Sequence, residues 1–283
     1  MTRTAPTRVV GLVVLGGIAA LGGIAACGTA PSGASTTVAT SVSFTLDLQV
    51  DMAEKDTSRL VAQGQMNFVQ DSIEAVVTVP YATPGPPAFD AGIMPVNGPM
   101  QLRTEWVDDH AYMTAPSSWS ALTGGARTLS IPVSPTMVRT MDTVLAQSAV
   151  ALTYANILFN ELTAHETVQR VPNRTIGGIP ARGTRANLTL AQLLKLVPEL
   201  APNLTRDLTT MAHETIPVTI WVDTRGRLVE VAMTGTKGDA ESVSGAVQFS
   251  HDGAPDKVTV PPAGTVKPIP AALRQSSGFL YFF

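Results

Sequence analysis

An α+β chain is predicted, built on a curved antiparallel β-sheet with helices covering its concave apolar face. Three observations predict it: stretches in which apolar and polar residues alternate one for one, turn-forming residues between them, and a middle segment in which apolar residues recur every three or four positions. Strict alternation gives a strand one wet face and one dry face, as in antiparallel sheets. A one-faced sheet and one-striped helices each need a cover, and laying the helices across the dry face satisfies both.

The chain has 283 residues, 45% hydrophobic and 14% charged, enough to bury one large core or two small ones. A formal net charge of −3 leaves no basic footprint, so nucleic acid is not expected as a partner. With one cysteine, no intrachain disulfide can form.

That cysteine closes the first element. Arg3 and Arg8 form a short basic region, and Val9 to Ala26 then runs without a charged side chain. Such a run could just span a bilayer, but Gly11, Gly16, Gly17, Gly22 and Gly23 weaken it as a permanent helix. It ends in Ile24-Ala25-Ala26-Cys27, which resembles a bacterial lipobox: an aliphatic and two small residues before the cysteine that is acylated. Residues 1–26 are therefore expected to be a cleaved lipoprotein signal peptide, with Cys27 as the lipid anchor at the extracytoplasmic face of the cell membrane. Each buried methylene contributes ~0.8 kcal/mol, so more than one chain gives lasting attachment. Residues 27–40, rich in Gly, Ser, Thr and Pro, read as a flexible tether.

Alternation begins at Ser41. Val42, Phe44, Leu46, Leu48, Val50 and Met52 are apolar and the residues between them polar. Leu60, Ala62, Gly64, Met66 and Phe68 form one side of a second strand, and Ile73, Ala75, Val77 and Val79 one side of a third. Met100, Leu102, Thr104 and Trp106 make a fourth, turned at Asp108-Asp109 toward His110 to Thr114. Ser134-Pro135 then caps a helix in which Met137, Val138, Met141, Val144, Leu145, Ala149 and Leu152 share a stripe. A strand pair falls around Thr167 to Leu188, and residues 190–197 and 204–211 form shorter amphipathic helices. Ile216, Val218, Ile220 and Val222 alternate before a Thr224-Arg225-Gly226 turn. Val229, Val231 and Met233 follow, then Val243, Val247 and Phe249, an Asp252-Gly253 turn, and a last strand at Val258 to Val260.

Catalytic signals are weak. There is no Gly-x-Ser-x-Gly elbow, His-Glu-x-x-His pair or Gly-Lys-Ser/Thr loop. Ala-His-Glu-Thr occurs twice, at 164–167 and 212–215. Adjacent residues of a strand point to opposite faces, so neither copy chelates a metal alone, and His165 and His213 read as junction residues. Gly177-Gly178 reads as a bend rather than a phosphate site. No enzymatic activity, cofactor or metal is expected; a metal-dependent hydrolase using the four histidines ranks third among the readings. The C-terminal Phe279-Leu280-Tyr281-Phe282-Phe283 is also a feature of outer-membrane barrels, against which the lipobox and the helical middle argue.

The order of elements, with the Ile216-Pro217-Val218-Thr219-Ile220-Trp221-Val222-Asp223 strand and the later Val258-Thr259-Val260-Pro261-Pro262, resembles the mycobacterial LprG/LppX lipoprotein family over residues 41–262. The resemblance implies a half-barrel related in shape to LolA, whose helices roof an apolar cavity for acyl chains. The 80–99 stretch reads as an enlarged loop and 263–283 as a C-terminal tail outside the lipid-binding domain. On pattern alone, Met66, Phe68, Trp106, Met137 and Met141 read as an ordinary core ahead of a cavity wall; the resemblance reverses that order. It implies a lining of Phe44, Leu46, Leu48, Met66, Phe68, Leu102 and Trp106 from the early strands, Met137, Val138, Met141 and Leu145 from the helix, and Val218, Ile220 and Val231 from the later strands. The implied function is carriage of an acylated lipid or lipoglycan within the envelope, with an envelope transporter as a candidate partner. The alternative is a lipoprotein whose core is filled by its own side chains and which binds another envelope protein.

Overall fold

Twelve strands join into one sheet in the computed structural model, which describes residues 39–51, 57–79, 100–135, 138–139, 141–142, 145, 149, 152–153, 168–189, 215–237, 241–251 and 257–271. They are β1 (Ser41–Asp51), β2 (Thr57–Asn67), β3 (Ser72–Val79), β4 (Met100–Val107), β5 (His110–Thr114), β6 (Thr128–Ile131), β7 (Gln169–Ile176), β8 (Ile179–Thr189), β9 (Thr215–Val222), β10 (Leu228–Lys237), β11 (Glu241–Ser250) and β12 (Val266–Pro268). Across the sheet the order is β12-β6-β5-β4-β3-β2-β1-β11-β10-β9-β8-β7, open at β12 and β7. Two sequential meanders, β1 to β6 and β7 to β11, are joined where β1 pairs antiparallel with β11, setting Phe44 opposite Phe249.

Local chemistry explains the turns. Asp108 and Asp109 both take positive φ (48° and 60°), as do Gly177 and Gly178 (55° and 84°), the geometry of two-residue hairpins whose twist matches that of the strands. In the β9–β10 turn, Asp223 Oδ1 accepts the backbone N–H groups of Arg225 and Arg227, each at 2.8 Å, and Oδ2 accepts Arg227 Nε at 2.7 Å. Burial, the largest single influence, raises the Asp223 carboxyl, but the hydrogen bonds and charge of Arg227 with the Arg225 N–H outweigh it and leave it below the ordinary carboxylate value.

Pro135 opens a helical stretch, with the Val138 N–H bonded to Ser134 O at 3.0 Å. Its described residues to 153 are helical; Met141, Leu145, Ala149 and Leu152 are buried, whereas Arg139 and Asp142 are exposed. Thr153 Oγ1 donates to Ala149 O at 2.7 Å and accepts the Ala39 N–H at 2.8 Å, tying the end of this stretch to the start of β1. A shorter helix, Ser120–Thr123, follows the buried Trp119 and ends at Gly124 with φ 58°.

Three expectations are corrected. Lys257 to Val260 are not a strand: Val258 is buried against Val107 and Tyr112, and the Gln70 side chain takes the place of a ladder partner. Gln70 Nε2 donates to Val258 O at 2.7 Å and Oε1 accepts the Val258 N–H at 3.1 Å, so both backbone groups are satisfied without a sheet neighbour. The sheet is not wholly antiparallel, because β12 pairs parallel with β6 at the edge, extended by the Ile269 N–H to Ser130 O bond of 3.0 Å. Residues 266–268 of the C-terminal segment thus belong to the sheet. Nor is the second face of the sheet uniformly wet. Trp221 packs there with Ile176, Ala181 and Val229, and lies so close on Gly183 that a Cβ at that position would fall 2.5 Å from its Nε1. Arg174 stacks 3.7 Å above the indole and pairs with the buried Glu230, which also accepts Gln248 Nε2 at 2.9 Å. The stretches 190–197 and 204–211, both Ala-His-Glu tripeptides, Cys27 and the 80–99 loop lie outside the described residues.

Candidate functional site

Strand pairing assembles one continuous row of side chains across nine strands. Leu102 faces Val77, Val77 faces Ala62, Ala62 faces Leu46, and Leu46 faces Val247. The row continues through Val231, Ile220 and Thr184 to Arg170 on the edge strand β7. Directly opposed residues share a face, so all these positions lie on one side of the sheet. Beside this row runs Leu129, Met113, Thr104, Ala75, Gly64, Phe44 and Phe249, and beyond it Trp106, Ile73, Met66 and Val42.

The sheet positions expected to line a cavity are therefore brought to one face. Phe44, Leu46, Met66, Leu102, Trp106, Val218 and Ile220 are buried there, and Val231 is half-buried. Leu48 holds the register with Leu60 and Gly245. Phe68 lies just past β2, half-buried, its N–H bonded to Thr40 O at 2.9 Å. On the helical stretch Met141 and Leu145 are buried and Val138 is half-buried; Met137 lies outside the described residues. Removing a Leu- or Phe-sized side chain from water contributes about 1.5–3 kcal/mol, so this face holds much of the apolar burial of the fold.

The polar members of the face are few. Thr104 is buried with Oγ1 3.4 Å from Ala75 O. Near the β2–β3 and β4–β5 turns, partial loss of solvent around the largely exposed Asp142 carboxyl, and then the negative charges of Asp109 and Asp71, hold it above its ordinary value. At the far end stand Arg170 and Arg182, which the sequence pattern did not single out. On the opposite face Arg103 bridges Glu74 at 2.8 Å and Glu105 at 2.9 Å, and the Arg59 hydrogen bond holds Asp47 below the usual carboxylate range. Among the described residues no three His, Cys, Asp or Glu side chains gather as metal ligands, and no helix is long and apolar enough to cross a membrane.

The described residues thus form an open, twelve-stranded sheet with one continuous apolar face. No protein-family model matches it, and no curated protein does. Among solved structures it is similar to the Mycobacterium tuberculosis lipoprotein LppX, at 12% identity over 78% of this chain and 90% of that one, with a TM-score of 0.39. It is similar to LprF from Mycobacterium bovis at 13% identity, covering 87% and 96% of the two chains, TM-score 0.39. A LolA-superfamily protein from Nitrosomonas europaea matches at 8% identity over 83% and 90%, TM-score 0.22.

Proposed function

We propose that this chain is a membrane-tethered lipid carrier of a bacterial envelope. Cys27, freed by removal of residues 1–26, bears the acyl anchor; residues 27–40 let the folded domain that begins at residue 41 stand off the extracytoplasmic face. Acyl chains of an envelope lipid or lipoglycan lie in an apolar cavity between the sheet face and the helices that cover it, with the headgroup at the mouth. An envelope transporter supplies or accepts the cargo. The observation that carries this reading is the uninterrupted apolar row from β4 to β9, which offers acyl chains a surface several strands wide. No covalent step, cofactor or metal is required, because withdrawing acyl chains from water supplies the binding free energy, about 0.8 kcal/mol per methylene.

A second reading, a filled core in a lipoprotein that binds another envelope protein, is favoured by one observation: Met66, Leu102, Trp106 and Leu129 are at most 1% exposed, covered by the chain itself. Val138→Trp separates the two. In a carrier the added ring occupies ligand space and lowers the amount of lipid that co-purifies. In a filled core it costs about 1–3 kcal/mol of stability by overpacking and leaves bound lipid unchanged.

A further inference from the structure

We infer that Arg170 and Arg182 form a subsite for the anionic phosphate of the bound lipid's headgroup; the inference rests on the carrier reading. The β7–β8 hairpin, residues 169–189, contains Arg170, Arg174, Arg182 and Arg185 and no acidic residue, in a chain whose net charge is −3. The four arginines divide between the faces. Arg174 is committed on the outer face to Glu230 and Trp221. Arg185 opposes Thr219, which opposes Ala232, a neighbour of the Trp221 cluster on that same outer face. Arg170 opposes Thr184, which opposes Ile220, and Arg182 opposes Val222, so both stand on the apolar face.

Neither Arg170 nor Arg182 has an ion pair among the described residues, and both are exposed. The carboxylate of Asp223, next in sequence to Val222, is already taken by Arg227 and two backbone N–H groups. Arg170 and Arg182 are diagonal neighbours across the β7–β8 ladder, beside the irregularity that follows Val171, a spacing within reach of two long side chains. The planar donor geometry of two guanidinium forks matches the oxygens of a phosphate held between them.

The row also grades in the order of an amphiphile. Leu46 and Val247 are buried, Ile220 is buried beside a half-buried Val231, Thr184 offers a hydroxyl and half-burial, and Arg170 is exposed and cationic. Acyl chains on the buried part of the row place a glycerol or ester linkage at Thr184 and a phosphate between the arginines.

The test uses the purified protein with fluorescent phosphatidylglycerol and fluorescent diacylglycerol of identical acyl chains, each titrated to saturation. The wild type is expected to bind phosphatidylglycerol at least tenfold more tightly than diacylglycerol. Arg170→Gln with Arg182→Gln brings phosphatidylglycerol down to the diacylglycerol level and leaves diacylglycerol binding unchanged, whereas Arg170→Lys with Arg182→Lys retains part of the preference. Equal affinities for the two lipids in the wild type, or a glutamine variant that keeps the full preference, overturns the subsite and leaves the carrier reading standing. Loss of both lipids in the glutamine variant also overturns it, since the arginines would then serve the fold. Loss of sedimentation with phosphatidylglycerol vesicles at unchanged lipid occupancy overturns it in favour of a membrane-facing role. Failure of the wild type to bind either lipid removes the carrier reading itself.

Discussion

Gly64→Ala is expected to be among the most damaging single-methyl additions this fold can receive. Gly64 sits in the middle of β2, opposite Phe44 on one side and Ala75 on the other. A Cβ there would lie 2.0 Å from the Glu74 carbonyl oxygen, 2.9 Å from Ala75 Cα and 2.9 Å from Phe44 Cζ. The first two obstacles are backbone of the neighbouring strand, so no rotamer change relieves them and β2 and β3 must part. Overpacking costs about 1–3 kcal/mol where side chains can adjust, and the upper end applies here. In a chain of this size about 1 kcal/mol moves Tm by about 2–4 °C, so a fall of about 6–12 °C is expected. Thermal unfolding followed by the buried Trp106, Trp119 and Trp221 reads it directly. Gly178→Ala is the control: φ there is 84° with nothing within 4 Å of the added carbon, so it costs only the left-handed strain of about 1–2 kcal/mol. Phe44→Ala should not rescue Gly64→Ala, because the ring is not the nearest obstacle. A Tm for Gly64→Ala equal to wild type, or full rescue by Phe44→Ala, would refute the packing of β1 to β3 described above.

Two further predictions concern the anchor and the β9–β10 turn. Cys27→Ala should abolish incorporation of labelled fatty acid and leave an unprocessed or mislocalised product; unchanged cleavage and membrane retention would make the N-terminal run an ordinary helix anchor. Asp223 has a folded-state carboxyl below its ordinary value of 3.8, so its stabilising contribution is complete above that value and is lost as pH falls through the lower folded value. Asp223→Asn should therefore lower stability at neutral pH and flatten the acid side of a Tm-against-pH curve; a parallel shift of the whole curve would contradict the assignment.

How much of this was legible in the sequence depends on how much of each element's environment is local. β1, β2 and most of β4 could be read from alternation, because Phe44, Leu46, Met66 and Leu102 each sit between polar neighbours, whereas β5, buried at Ala111, Tyr112 and Met113 in succession, could be placed only from the turn before it; Asp108-Asp109 and Gly177-Gly178 carry their positive φ in their own chemistry. β6 has four residues, too few for a period to appear, and β12 has three, one of them proline; both exist because a neighbouring strand offers an edge. Val258-Thr259-Val260 reads as a strand because all three residues are β-branched, and tertiary context replaces the ladder with the Gln70 amide. The arginine pair was invisible for a different reason. In β8 the positions of Arg182, Thr184 and Ala186 show no clear apolar parity, so only their pairing with Val222, Ile220 and Val218 reveals which face they share. The Trp221 cluster was hidden in the same way, since an apolar residue on the expected wet face reads as an exception until Gly183 and Arg174 are placed against it.

The measurement that bears most directly on the carrier reading is native mass spectrometry of residues 28–283, purified from the bacterium that expresses them and followed by organic extraction. A lipid carrier shows a discrete mass excess of lipid size on the folded protein, saturable by added diacyl lipid, released by solvent and chemically intact on chromatography. A folded protein that carries only its polypeptide mass even with saturating diacyl lipid, or that returns the lipid hydrolysed, would contradict it.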